Sequence, residues 1–212
     1  MNENHAKLCP SREWAAYIQT ELLPSLVAAV DLGVELLEVG PGPGAATEWL
    51  RHKVPRLWAL EVDEEAAHKL AAKHAGNNVE VVTGDATEMT FADASFDSVC
   101  SFTMLHHVPT VALQDKVLRE VFRVLRPGGV LIGTDSLASD ELHRFHDGHT
   151  YNPLEPSSFL VRLQTVGFRK ITLGVDEVLK FVAHKPTPVR ATETQQLEAP
   201  GTRNNEPQEV AP

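Results

Sequence analysis

Hydrophobic positions along this chain change period in a regular alternation. From Ser11 to Val30 they fall at helical spacing, with Trp14, Ile18, Leu22 and Leu23 on one face, Ser11 placed as the cap and Pro24 set to bend or interrupt the helix. Apolar runs of strand length follow at Glu35–Val39, Leu57–Glu61 and Val79–Thr83, separated by helical patterns over Ala45–His52 and Glu64–His74. Strands that alternate with helices need crossover connections, and these predict a parallel sheet with helices on its faces. Phe96–Phe102 supplies a fourth strand. A helix over Leu113–Leu125 then puts Leu118, Val121, Phe122 and Leu125 on one face, Arg126–Gly129 breaks it, and Val130–Asp135 is a fifth strand. The segment Pro156–Val166 starts on proline, is closed by Gly167 and reads as a helix. Phe168–Leu173 and Val178–His184 are joined only by Gly174–Glu177, too short a link for a crossover, so they pair antiparallel.

The expected fold class is therefore α/β: a doubly wound, mostly parallel seven-stranded sheet with an antiparallel strand near its C-terminal end. Residues 1–33 form an N-terminal helical segment, 34–185 the α/β domain, and 186–212 a tail. The tail has five prolines, no aromatic residue and few apolar ones, and is expected to be disordered. Between the fifth strand and the next helix, Ser136–Glu155 has no clean period and is rich in His, Asp and Gly. It predicts a loop or a broken helical insert over the sheet's edge.

Composition narrows the function classes. With 212 residues, 42% hydrophobic content and a formal net charge of −10, the chain can bury one substantial core, and its acidic balance argues against a nucleic-acid partner. No apolar run reaches the roughly 18 to 20 residues of a membrane span, and MNENHAKLCPSREW has no basic head before an apolar core, so a cytoplasmic location is expected. Cys9 and Cys100 are the only cysteines, too few and too far apart for a disulfide framework or a thiolate zinc site. Cys100 is expected to be buried and inert, Cys9 an ordinary surface thiol.

Candidate chemistry concentrates at strand ends, where doubly wound sheets bind their ligands. LLEVGPGPG over Leu36–Gly44 runs from a strand through Gly40, Gly42 and Gly44 into a helix, a turn whose backbone a nucleotide-like ligand can approach closely. Gly40, Gly42 and Ala45 alone also satisfy the looser dinucleotide fingerprint, so the spacing leaves a nicotinamide cofactor open. Glu38 would repel a pyrophosphate and suits a cationic ligand group. Glu61 ends the second strand 21 residues after Gly40, where an acid accepts from ribose hydroxyls. Asp85 and Ala86, in GDAT after the third strand, offer an acceptor and an N–H to a purine edge.

On these residues the sequence resembles the class I S-adenosylmethionine-dependent methyltransferases, and within them the methyltransferase type 11 group, over roughly Leu36–His184. LEVGPGPG is similar to the family's glycine loop, ALEVDEEAA to its ribose acid, TGDATEM to its adenine turn and LREVFRVLRPGGVLIGTD to its later helix and strand. The resemblance implies a Rossmann-like methyltransferase fold with S-adenosyl-L-methionine as cofactor. It implies that Glu38 and Gly40 face the methionine part, Gly42 and Gly44 shape the loop, Glu61 binds ribose, Asp85 and Ala86 bind adenine, and Ser101 borders the cofactor. The N-terminal helix with Trp14 would cover it.

Methyl transfer from a sulfonium needs placement more than machinery, and a base only where the acceptor must lose a proton. His106 and His107, in SFTMLHHVP after the fourth strand, are the candidates for that role. In the insert, Asp140, His143, His146, Asp147 and His149 fit no dedicated metal signature. They are expected to form a lid beside the acceptor, with no metal site. The implied partner is a small-molecule methyl acceptor; no membrane partner is expected. The first half also resembles the ribosomal RNA adenine dimethylases, but Ser101-Phe102-Thr103-Met104 lacks the Asn-Leu-Pro-Tyr type loop that family needs. A non-catalytic cofactor-binding module is the remaining alternative.

Overall fold

The computed structural model describes residues 12–188. Ser11, Cys9, the tail beyond residue 188 and the side chain of Trp14 lie outside the described residues. Seven strands form one sheet: β1 Glu35–Val39, β2 Arg56–Glu61, β3 Val79–Thr83, β4 Phe96–Phe102, β5 Leu125–Asp135, β6 Arg169–Val175 and β7 Leu179–His184. Their order is β3-β2-β1-β4-β5-β7-β6, with every neighbouring pair from β3 to β5 parallel. β7 runs antiparallel to both β5 and β6, and the three-residue link Asp176–Val178 between β6 and β7 requires the second of these pairings.

Central strands alternate their side chains between two buried faces. Leu37, Val99 and Leu131 join one core, while Leu36, Cys100 and Ile132 join the other, so successive residues of β1, β4 and β5 point opposite ways. The first core is closed by α5 (Val111–Val124) through Val117, Leu118 and Val121, and by α7 (Pro156–Val166) through Phe159 and Leu163. Helices α1 (Arg12–Tyr17), α2 (Leu23–Val27) and α3 (Ala45–Leu50) lie on the sheet's other side, with α2 and α3 completing the second core. Helix α4 (Glu64–Lys73) connects β2 to β3 and is capped by Asp63, whose carboxylate accepts from the Ala66 N–H. Cys100 is fully buried as expected, and burial holds its thiol well above the ordinary range.

One boundary differs from the sequence expectation, at Arg126–Gly129, while the interrupted N-terminal helix and the broken helical insert agree with it. The N-terminal helix is not continuous: α1 passes into a π turn at Ile18–Leu22 before α2, because Pro24 has no N–H to continue the ladder. Arg126–Gly129 does not break the chain between helix and strand. It bulges inside β5, where the pairing jumps from Phe96↔Leu125 to Ser98↔Val130 and Gly128 takes a φ of 87°. The insert holds a short helix, α6 (Asp140–Phe145), started by Ser139, whose hydroxyl accepts from the Leu142 N–H.

Candidate active site

The strand order reverses between β1 and β4, and a cleft of about 1130 Å³ opens at the carboxyl ends of the strands on both sides of that point. Its floor is the glycine loop. The Gly40 N–H donates to the Leu60 carbonyl at 2.9 Å, and the Gly42 N–H donates to Glu61 Oε2 at 2.9 Å, which ties the loop to β2. Gly42 has a φ of 52°, and a Cβ built there meets nothing within 4 Å, so this backbone presents itself bare to the cleft. At Gly40 the same atom would strike the Met104 side chain, which shows how tightly the loops after β1 and β4 meet.

Two carboxylates stand over this floor. Glu38 is 2% exposed, and its Oε2 accepts from the Thr47 hydroxyl at 2.6 Å. Burial lifts its pKa from 4.5 to about 7. The Thr47 bond and Lys73 oppose that lift, while the Glu61 charge adds to it. Glu61, at the tip of β2, spends one oxygen on Gly42 and the other on the Asp63 N–H at 3.0 Å. Each oxygen keeps a second lone pair, so two further donors can be accepted. Beyond β3, Asp85 is exposed on the cleft wall; its Oδ1 accepts from the Thr87 N–H at 2.7 Å, an Asx turn that leaves Oδ2 to the solvent side. The loop that carries Asp85 and Ala86 is anchored from α5. Arg123 donates to the Met89 and Phe91 carbonyls and to Asp93 and Glu120, while Glu120 accepts from the Met89 N–H.

The far wall comes from the chain after β4. Thr103 takes a φ of 51°, rare for a residue with a Cβ, and its N–H donates to the Thr134 carbonyl at 2.8 Å. A single 3-10 turn, Leu105–His107, sets the two histidines apart. His107 lines the cleft; His106 is turned behind it, 3% exposed, with Nδ1 at 2.6 Å from Asp135 Oδ1. From the insert, His149 and Thr150 reach the same wall.

Of the residues expected from sequence, the structure brings Glu38, Gly40, Gly42, Glu61, Asp85, Ala86 and His107 to one cleft. Gly44, Ser101 and His106 are not among its lining residues. Gly44 turns the chain into α3 with a φ of 79° against Leu70. Ser101 is locked inside the sheet between Val39 and Gly133, 3% exposed, and His106 is drawn away by Asp135. Sequence reasoning missed Thr47, Lys73 and Asp135. Asp135 was findable, since it is an acid at the carboxyl end of a strand, the same criterion that singles out Glu61.

A family model described as a methyltransferase domain matches residues 37–133, from within β1 to within β5. Residues 37–133 thus carry the pattern of a methyltransferase domain. The match spans the glycine loop, Glu61, Asp85 and both histidines. A fatty-acid O-methyltransferase of Mycolicibacterium smegmatis is 33% identical over 119 residues, 55% of this chain and 42% of that protein. A protein of Pyrobaculum islandicum assigned as ribosomal RNA small subunit methyltransferase A is 40% identical over 77 residues, 36% of this chain and 29% of that one. The chain thus spans less than half the length of either relative. Phosphoethanolamine N-methyltransferase 2 of Haemonchus contortus, solved with S-adenosyl-L-methionine, shares the methyltransferase fold at a TM-score of 0.64 and 16% identity. That likeness covers 78% of this chain and 51% of the other, and it is evidence of fold alone. Among the described residues no helix is long and apolar enough to cross a membrane.

Proposed function

We propose that this chain binds S-adenosyl-L-methionine in the cleft and transfers its methyl group to a small-molecule acceptor. The observation that carries the reading is the pairing of a buried carboxylate, Glu38, with an open, Cβ-free backbone at Gly42 and a pre-oriented Glu61 in one hollow. When bound, the cofactor supplies a methyl group on a positively charged sulfonium. Glu38 is placed to receive the amino group of the methionine part, and Glu61 to accept from the ribose hydroxyls with its remaining lone pairs. Asp85 accepts from the exocyclic amino group, and the Ala86 N–H donates to a ring nitrogen. The residues fit a cationic nucleoside better than a pyrophosphate, which Glu38 would repel in a low-dielectric setting.

His107, which lines the cleft, is the residue that would touch the acceptor. His106 acts through position, since its ring is held by Asp135 and does not line the cleft. The formal net charge of −10 supports a small acceptor over a polyanion, and so does the match to an enzyme of fatty acids. The segment after β4 lacks the amide and aromatic pair expected of an adenine dimethylase, which disfavours the RNA reading.

Calorimetry with S-adenosyl-L-methionine, S-adenosylhomocysteine and NAD(P) tests the cofactor, and mass spectrometry of acceptor mixtures tests the transfer. Binding of the two sulfur nucleotides with no response to NAD(P), and a mass gain of one methyl on an acceptor, is the expected result. Tight NAD(P) binding with silence toward the sulfur nucleotides ends the proposal. Cofactor binding without product over a broad acceptor panel leaves the non-catalytic module in its place.

A further inference from the structure

Three histidines from two separate segments meet beside the cleft. His106 and His107 come from the turn after β4 and His146 from the end of the insert helix α6, and one ring nitrogen of each lies within 4.8 Å of the others'. Sequence spacing does not show this. His146 lies 39 residues beyond His107, and its apparent partner on a helical face is His143 rather than the pair it meets.

We propose that His106, His107 and His146 form a binding site for one divalent d-block cation, with zinc(II) the best-suited ion. The argument begins with tautomers. His146 Nδ1 lies 2.6 Å from the Leu142 carbonyl, which can only accept, so Nδ1 carries the proton and Nε2 carries the lone pair. His106 Nδ1 lies 2.6 Å from Asp135 Oδ1, an oxygen that also accepts from the Ser136 N–H, while Oδ2 accepts from the Leu105 N–H. The same logic assigns its proton to Nδ1 and its lone pair to Nε2. A carboxylate or carbonyl behind Nδ1 and a lone pair on Nε2 is the arrangement that orients imidazoles toward a metal.

Neighbouring groups pack against the two buried rings. Tyr151 stacks on His146 with ring centroids 4.2 Å apart and crosses His106 at 5.7 Å, while its hydroxyl donates to the Leu137 carbonyl. His107 is exposed, its ring tilted at 46° to that of His106 with centroids 4.0 Å apart, so the third ligand lies on the solvent side. Tetrahedral nitrogen ligands about 2.0 to 2.1 Å from zinc stand roughly 3.4 Å from one another, so ring nitrogens 4.8 Å apart would have to approach by about 1.4 Å. Three neutral imidazoles without a coordinating carboxylate favour zinc and its d-block neighbours over magnesium or calcium. Three protein ligands leave a fourth position open. His107 belongs to both the triad and the cleft wall, so the site adjoins the place where an acceptor would lie. That use of the ion rests on the methyl-transfer reading; its binding does not.

The test uses the full chain, stripped with chelator, without cofactor or acceptor. Zinc(II) is titrated by calorimetry and cobalt(II) by visible absorption. Expected are one equivalent of each, an intense cobalt spectrum of low coordination number, and no competition from magnesium. His107→Asn and His146→Asn should each weaken binding about tenfold or more, the scale seen even for disturbed outer-shell partners. His68→Asn, an exposed histidine on α4, should change nothing. Circular dichroism checks each variant; His107 is on the surface, so its variant decides the matter if His146→Asn does not fold. The proposal is overturned by the absence of stoichiometric zinc or cobalt uptake, or by uptake that survives His107→Asn unchanged. Neither result bears on cofactor binding, which calorimetry with S-adenosylhomocysteine measures separately.

Discussion

If Glu38 meets the amino group of the cofactor, as proposed, affinity depends on pH in a direction that can be worked out beforehand. In the free protein burial holds its pKa at about 7 against an ordinary 4.5, so at pH 6 the side chain is mostly neutral. A cationic amino group calls for the carboxylate, and binding below pH 7 must first remove the proton. If the bound carboxylate stays ionised throughout, apparent affinity rises roughly twentyfold between pH 5.5 and pH 7.5, and about 0.9 proton leaves per cofactor bound at pH 6. The window stops at 7.5 because an α-amino group itself titrates at about 7.7 to 8.0. Calorimetry in two buffers of different ionisation enthalpy reads both quantities. Glu38→Gln should abolish the slope and cost about 1.5 to 3 kcal/mol of binding at pH 7.5, as loss of a charge-assisted hydrogen bond does. An affinity flat from pH 5.5 to 7.5, or a slope that persists in Glu38→Gln, refutes the placement of Glu38 against the ligand's cation.

Further outcomes test the rest of the cleft and the fold beneath it. Glu61→Ala and Asp85→Ala should each lose roughly 1.5 to 3 kcal/mol of S-adenosylhomocysteine affinity, and unchanged dissociation constants in both would remove them from the site. Gly42→Ala should cost about 1 kcal/mol of stability for its left-handed backbone, with a larger loss of cofactor affinity because the new methyl projects into the cleft; equal affinity would show that no ligand lies there. Phe159, fully buried in α7 against Phe181, should cost about 3 to 5 kcal/mol on conversion to Ala in urea unfolding, and a loss under 1 kcal/mol would contradict its place in the core.

Period and punctuation carried most of the fold. The boundaries of the five strands in the parallel half lie within a residue of the pattern except at the start of β5, where a bulge let the strand begin five residues early. A bulge is a pairing event, invisible to periodicity because Arg126–Gly129 has the composition of a turn and is only recruited by Asp97 of β4 and by Lys185, the residue after β7. The arrival at one cleft of residues at a strand tip or in a bare-backbone turn was legible: Glu38, Gly40, Gly42, Glu61, Asp85. Those whose role depends on which way a side chain turns were not. Ser101 alternates into the sheet, and His106 is captured by Asp135, a partner 29 residues away. The meeting of His146 with His107 needs the insert's path over the sheet edge, which no local signal encodes.

The same burial that makes Glu38 a sensor also makes it a liability to the empty fold. Its raised pKa means that the folded chain holds a proton which the unfolded chain releases above about pH 4.5, so the associated stability is fully present below that value and is lost as pH rises through 7. Above pH 8 the cost of keeping the buried carboxylate is about 3 kcal/mol, which a cationic ligand would offset on binding. Glu38→Gln should therefore act with opposite signs on two measurements at pH 8. Urea unfolding of the free protein should show a gain of about 1 to 3 kcal/mol, shrinking toward nothing at pH 4.5, while cofactor affinity falls. A structural glutamate, held only for its bond from Thr47, would lose stability at both pH values on the same substitution. A uniform loss would assign Glu38 to the scaffold; opposite signs would mark it as a charge the fold keeps for its ligand.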